Sequence, residues 1–343
     1  MNRSARALLS AAAIGAMGSS WGPRDFGVLL VGGAETRTIG KLKAGLDKKY
    51  PVEFAFGLGD PREIQRAIDR LSARNVKKLV AVPLVLDSES PGIEETQYVL
   101  GIRKDPSPAF FQGAHSHSGG SSPIKRAKTK LPVVMTSGLD DHSLVAEIIA
   151  ARAKKMSEHP ERERIVLVAS GSSSDAMNEL TARRLTTLAQ RVRELGRFSD
   201  AQAFVLREGG GAPRPKKQFS LEKVTQDADK KLHDAVKALS RGGRVLLLVH
   251  QLTPNGFERR VRKLLDGLFY TMNSDGLMLD PRLAQWVEAK VQESAERPNM
   301  RQYKDEGRKV PYPEENQMRL TMDPATGKAR RTLGEPRPIG EHE

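Results

Sequence analysis

The chain carries the same arrangement of motifs twice. Leu30-Val31-Gly32-Gly33 returns as Val168-Ala169-Ser170-Gly171, and Gly138-Leu139, ahead of a helix led by His142-Ser143, returns as Gly276-Leu277 ahead of Asp280-Pro281. Gly32 to Ser170 and Gly138 to Gly276 are each 138 residues apart. A fixed offset of domain length implies that a whole unit is repeated, because a solenoid repeats every few tens of residues. Any site built into one unit must therefore be looked for twice.

Each unit alternates strand and helix. Val28 to Val31 is a short apolar run entering a Gly-Gly turn, and Ile39 to Leu46 follows at helical spacing. Val52 to Phe56 reads as a second strand, and Pro61 opens a helix whose Ile64, Ala67, Ile68 and Leu71 form one apolar stripe. Leu79 to Leu86 is almost continuously apolar, which suits a parallel strand buried on both faces. A helix over Ile93 to Ile102, a strand at Val133 to Met135 and a helix over Ser143 to Ala153 complete the first unit. The second runs Arg164 to Ala169, helix Asp175 to Leu195, strand Ala201 to Leu206, helix Leu221 to Leu239, strand Val245 to Val249, then helices at Phe257 to Leu268 and Arg282 to Val291. Tyr270 to Leu279 is a poor strand candidate. The expected fold is thus α/β, with two tandem three-layer α/β/α units at 23–158 and 159–296, each around a mainly parallel four-stranded sheet. Loop insertions fall at 104–130 and 208–219, and a polar, proline-bearing tail over 297–343 reads as disordered.

The first 22 residues join a charged start to a short alanine-rich apolar run, with Ala16 and Gly18 where a signal peptidase inspects small side chains, so the sequence favours export. That run is shorter than the ~20 residues that span a bilayer, and no transmembrane segment is expected. A net charge of +14 favours anionic partners. The charge is scattered in small clusters such as Lys125-Arg126, Lys216-Lys217 and Arg259-Arg260, with few interleaved aromatics, so nucleic acid is not expected. With no cysteine, disulfides, thiolate metal sites and iron–sulfur clusters are excluded.

The order of these motifs resembles the sirohydrochlorin chelatase family, the class II tetrapyrrole metal chelatases. The resemblance covers about Gly27 to Glu293 and rests on Val28 to Ala34, on Val82-Pro83-Leu84-Val85-Leu86, and on Gly138 to Ile149 with Gly276 to Val287. It implies a cobalt or ferrous ion held by neutral imidazoles at strand C-termini and inserted into an acidic tetrapyrrole, as in cobalamin biosynthesis. The family's first histidine falls at Gly32 and Ser170, its second at Pro91 and Phe257, and its acidic residue near Leu58 and Leu206 with Glu208 two residues on. None of the four histidine positions keeps an imidazole.

Other residues could rebuild the site. His115 and His117 form a His-x-His in the first insertion, and His250 ends the seventh strand, so these three are the metal candidates. His250 and Glu208 are the catalytic candidates, and Arg259 and Arg260 are placed to hold ligand carboxylates. Asp87, Glu89, Glu94 and Glu95 surround the lost position at Pro91 and could offer hard oxygen ligands or simply cap a helix, while His142 reads as a helix cap. The turns at Gly32 to Ala34 and Ser170 to Ser173 invite anion binding but lack Walker spacing. Two functions remain: a chelatase-family protein that binds a divalent metal and/or an acidic tetrapyrrole and inserts cobalt or iron, or a noncatalytic exported carrier that kept the fold and lost the chemistry.

Overall fold

The structure, a computed structural model, describes residues 21–33, 37–106, 125–172, 175–207, 218–304, 318–322 and 329–333. Its apolar runs become two sheets with the same strand order. The first sheet contains β1 (Phe26–Val31), β2 (Val52–Ala55), β3 (Lys78–Pro83) and β4 (Val133–Met135), all parallel in the order β2-β1-β3-β4. The second contains β5 (Arg164–Ser170), β6 (Asp200–Leu206), β7 (Val245–His250) and β8 (Thr271–Asn273), parallel in the order β6-β5-β7-β8. In each sheet the order reverses beside the first strand, and the crevice outside the strand C-termini at such a reversal is where open α/β sheets bind ligands. Every residue of β1, β2 and β3 is buried, as continuous apolar runs require. β8 is a strand despite its weak pattern. It is a three-residue, half-buried edge strand whose pairing to β7 supplies what its composition does not.

The helices among the described residues are α1 (Arg37–Leu46), α2 (Pro61–Ser72), α3 (Pro91–Val99), α4 (Ser143–Met156), α5 (Asp175–Gly196), α6 (Gln218–Arg241), α7 (Phe257–Leu264) and α8 (Arg282–Glu293). α2 shows why they form where they do. Asp60 caps it by accepting from the backbone N–H groups of Arg62 and Glu63 at 2.8 and 3.2 Å, Pro61 fixes its first turn, and the expected stripe Ile64, Ala67, Ile68, Leu71 is fully buried. Each of the larger side chains gains about 1.5–3 kcal/mol from that burial.

The sheets share a central layer. One apolar cluster runs from the inner face of the first sheet (Val28, Leu30, Val80, Val82) to that of the second (Ile165, Leu167, Leu246, Leu248), and separate clusters fill the outer faces. Within the central layer the last helix of each half is exchanged. α4, from the first half, packs on β7, β8 and α5, whereas α8, from the second, packs on β3 and α1. Lys49 at the end of α1 pairs with Glu288 of α8 at 2.6 Å, and Arg152 of α4 donates to the Gly276 carbonyl at 2.8 Å. Dividing the chain at 158/159 therefore separates each sheet from one of its covering helices.

The expected tail also contributes structure. Lys78, 4% exposed, donates to the carbonyls of Ser294, Ala295 and Arg297 at 2.9, 2.8 and 2.6 Å, closing the end of α8. The chain then runs along β4, where Met300 N–H donates to Val133 O and Asn299 Oδ1 accepts from Val133 N–H. Polar, proline-bearing sequence held by backbone bonds at a sheet edge carries no apolar period, and this is why 297–304 reads as tail. Further on, β9 (Met318–Met322) and β10 (Ala329–Leu333) pair as an antiparallel hairpin. No helix among the described residues is long and apolar enough to cross a membrane.

Candidate functional site

The site is organised by one arginine. α5 buries Leu185, Leu188, Ala189 and Val192, and this anchoring sets Thr181 and Arg184 at the C-terminal edge of the second sheet. Opposite, the loop after β3 presents Asp87 and Glu89, and the loop after β4 presents Asp140. Asp140 sits in the left-handed region (φ 48°) and its carboxylate is fixed by Ser88, whose N–H and Oγ donate at 2.8 and 2.6 Å. Arg184 Nη1 lies 3.2 Å from Asp87 Oδ1 and 3.1 Å from Asp140 Oδ1, and it also meets Glu89, whose second oxygen accepts from Nη2 at 2.8 Å. Thr181 Oγ1 donates to Asp87 at 3.1 Å. Three carboxylates thus converge on one guanidinium. Burial works against the Arg184 charge, but Glu89, Asp140 and Asp87 outweigh it and hold the group more firmly protonated than an ordinary arginine. In return, the hydrogen bonds from Arg184 hold the Glu89 carboxyl below its usual range.

His250 faces the same space. It ends β7 in register with Ala169 of β5, is 7% exposed, and its Nδ1 is buried without a hydrogen-bond partner. Burial, and next the Arg152 charge, lower its pKa to about 4, so the imidazole is neutral at physiological pH. Neutrality is the state a metal ligand needs. Asp87, Asp140, Ser170, Thr181, Arg184 and His250 line one narrow cleft of about 10 Å³, at the strand-order reversal of the second sheet.

The other candidates lie elsewhere. Arg260 donates to Arg207 O and Asp229 Oδ1, both at 2.6 Å, and Arg259 is exposed; neither lines the cleft. Glu94 pairs with Arg103 at 2.8 Å, while burial first and Glu94 second raise Glu95 to about 7. Asp87, Glu89, Glu94 and Glu95 therefore do not converge as a hard oxygen site. His115, His117 and Glu208 lie outside the described residues. Among the described residues, no group of three or more His, Asp or Glu side chains is arranged to hold a metal ion.

The positions at which the resemblance places histidines have other structural roles. Gly32 adopts φ 145°, and a Cβ there would stand 2.9 Å from the Leu84 carbonyl oxygen, so β1 ends with no room for a side chain. Phe257 is 6% exposed and belongs to the outer core of the second sheet. Pro91 opens α3, and Ser170 lines the cleft without an imidazole. In the described part of the turn after β5, Asn178 accepts from Ser172 N–H at 2.7 Å and donates to Ser172 O at 2.8 Å, so that N–H is already taken. His142 caps α4 as expected, its Nδ1 accepting from Leu144 N–H at 3.2 Å. Arg184 escaped sequence reading because one arginine on a 22-residue helix carries no motif.

No family model and no curated protein matches the chain. Among solved structures it is similar to SirB from Bacillus subtilis with Fe3+ (TM-score 0.50, 17% identity, covering 79% of this chain and 96% of that one). It is also similar to the sirohydrochlorin chelatase SirB from Bacillus subtilis subspecies spizizenii in complex with cobalt (0.48, 14%, 79% and 95%). A third is DR2241 from Deinococcus radiodurans, a multi-domain protein with structural similarity to chelatases (0.48, 17%, 83% and 58%). The first likeness establishes a chelatase-like α/β fold; at this identity it is a likeness of fold.

Proposed function

We propose that this chain is a noncatalytic binding protein on a chelatase-like fold, which takes an acidic tetrapyrrole at the cleft between its sheets and does not insert a metal. The observation that carries this reading is the engagement of Asp87, Glu89 and Asp140 by Arg184. A divalent cation that used those oxygens would have to displace a guanidinium. Among the described residues the other nitrogen donor at the cleft, His250, is a single imidazole, and one ligand does not make a transition-metal site. The tetrapyrrole is suggested by the cobalt-bound sirohydrochlorin chelatase among the similar structures and by a net charge of +14 that draws polycarboxylates. The closed cleft has a volume of only about 10 Å³, room for about one water, so a macrocycle would dock across its mouth or require the two sides to part. Export by the 1–22 leader, which extends beyond the described residues, would place this carrier outside the cytoplasm.

A second reading keeps metal insertion, with His250, His115 and His117 as ligands to cobalt or iron and Glu208 assisting. The neutral, buried and unpartnered His250 Nδ1 favours it. An absorbance titration with sirohydrochlorin, followed by cobalt or ferrous ion, separates the two. The expected result is saturable binding with metal uptake no faster than in protein-free solution. Accelerated uptake that is lost in His250→Ala would overturn the carrier reading and establish the second, and absence of binding would overturn both.

A further inference from the structure

We infer that the edge of the first sheet carries a second, separate site, a groove for the phosphate backbone of a nucleic-acid strand. Lys128, Thr129, Lys130, Arg301 and Lys304 together line a shallow, open groove of about 420 Å³. Lys128 to Lys130 precede β4 and so lie towards the end of the sheet opposite the cleft. The fold makes this patch by gathering segments far apart in the chain. Residues 101–106, 125–131 and 297–304 together hold nine Lys and Arg against one carboxylate, Asp105. Read along the sequence the same charges look scattered, and this is why nucleic acid is not expected there.

The lining segments are fixed in place. Gln65 grips the backbone of Lys128 from both sides, accepting from its N–H at 2.6 Å and donating to its carbonyl at 3.1 Å. The Arg126 guanidinium stands 4.6 Å from the Tyr98 ring and 5.2 Å from the Tyr303 ring, and donates to the carbonyls of Lys304 and Arg103 at 3.1 and 3.3 Å. Gln302 and Tyr303 both donate backbone N–H groups to Gly101 O at 2.9 Å. Among the described residues none of Lys104, Lys125, Lys128, Lys130 and Lys304 forms an ion pair, and all five are exposed. Like charges fixed this close repel one another, and a polyanion relieves the repulsion while releasing its own counterions.

Basic side chains spread along a shallow groove suit an extended polyanion. The exposed large apolar side chains among the described residues, Leu195, Val224, Phe269 and Leu279, all lie in the second half of the chain and outside the patch, so a bilayer would find no anchor here. Tyr98 is 3% exposed and the Tyr303 ring faces Arg126, so neither of these described rings at the groove is free for base stacking. Recognition is therefore through phosphates, independent of sequence and sensitive to salt.

Fluorescence anisotropy of a labelled oligothymidylate with the full chain tests this across a salt series. Lys128→Glu/Lys130→Glu/Lys304→Glu is compared with Lys154→Glu/Lys155→Glu/Lys237→Glu, which changes net charge equally at exposed lysines elsewhere. We expect the groove variant to bind at least about tenfold more weakly and to lose roughly 2 from the log–log salt slope, while the control changes affinity less than about twofold. Circular dichroism melting verifies that both variants are folded. The inference is overturned by absence of binding in the wild type, by equal losses in the two variants, or by polyglutamate competing as well as the oligonucleotide.

Discussion

Arg184→Met removes the cation on which three carboxylates converge and leaves the surrounding packing nearly intact. At an effective dielectric near 20, each contact at this range is worth roughly 4 kcal/mol of gross attraction, opposed by desolvation of the guanidinium and by repulsion among the carboxylates. The net loss must lie between the ~0.5 kcal/mol of an exposed pair and the 3–5 kcal/mol of a buried pair broken from one side. Arg184, Asp87 and Asp140 have side chains 18, 23 and 20% exposed, whereas Glu89 is 46% exposed and contributes less. About 3 kcal/mol follows, or a Tm lowered by roughly 4 °C for a chain of this size. The pH dependence has a definite sign. Because Arg184 depresses the folded-state pKa of Glu89, its stabilisation is present above the ordinary glutamate range and is lost as pH falls through it. The variant's deficit should therefore be largest near neutrality and shrink as acid also relieves repulsion among the bare carboxylates. Millimolar manganese should raise the Tm of the variant and leave the wild type unchanged, since only the variant has free oxygens to ligate. Differential scanning fluorimetry across pH reads all of this. A Tm change under about 1 °C, or a deficit that does not shrink in acid, would refute the reasoning.

Three further outcomes are expected. His250 has a folded pKa of about 4 against 6.5, so the wild type should lose about 3 kcal/mol between about pH 6.5 and 4, and urea unfolding of His250→Leu should lack that component of the profile. Lys78→Met leaves the carbonyls of Ser294, Ala295 and Arg297 without their donor, and should cost about 3 kcal/mol and admit trypsin at Arg301; a digestion pattern like the wild type's would count against the capping role. Gly32→His, which restores an imidazole where the chelatase resemblance has one, should destabilise the chain by at least about 2 kcal/mol because of the φ of 145° and the Leu84 carbonyl, and should bring no cobalt absorption band; a stable, cobalt-binding variant would show that β1 can accommodate a ligand.

The first sheet was legible because fully buried parallel strands leave continuous apolar runs, and the start and inner face of α2 were legible because Pro61 and its stripe agree. The exchange of α4 and α8 was not, since an apolar stripe records that a helix is covered and carries no mark of which sheet covers it. Of the site, His250 was readable as a polar residue closing an apolar strand, and Asp87 and Glu89 as acids near a lost ligand position. Their common partner was not, because Arg184 reaches them only once α5 is docked between the sheets. The basic groove was hidden for the same reason, its charges coming from three distant segments.

The helix exchange sets the order in which the chain can finish folding on the ribosome. The first sheet is complete once β4 has been made, but part of its inner face is covered by α8, which begins at Arg282. At ~5–20 residues per second, that leaves apolar surface waiting on the order of ten seconds or more while the second half is translated. The first sheet to be synthesised is thus among the last to be sealed. A nascent chain stalled anywhere before α8 would expose the inner face of its oldest strands, and would be recognised by chaperones through its beginning rather than its end.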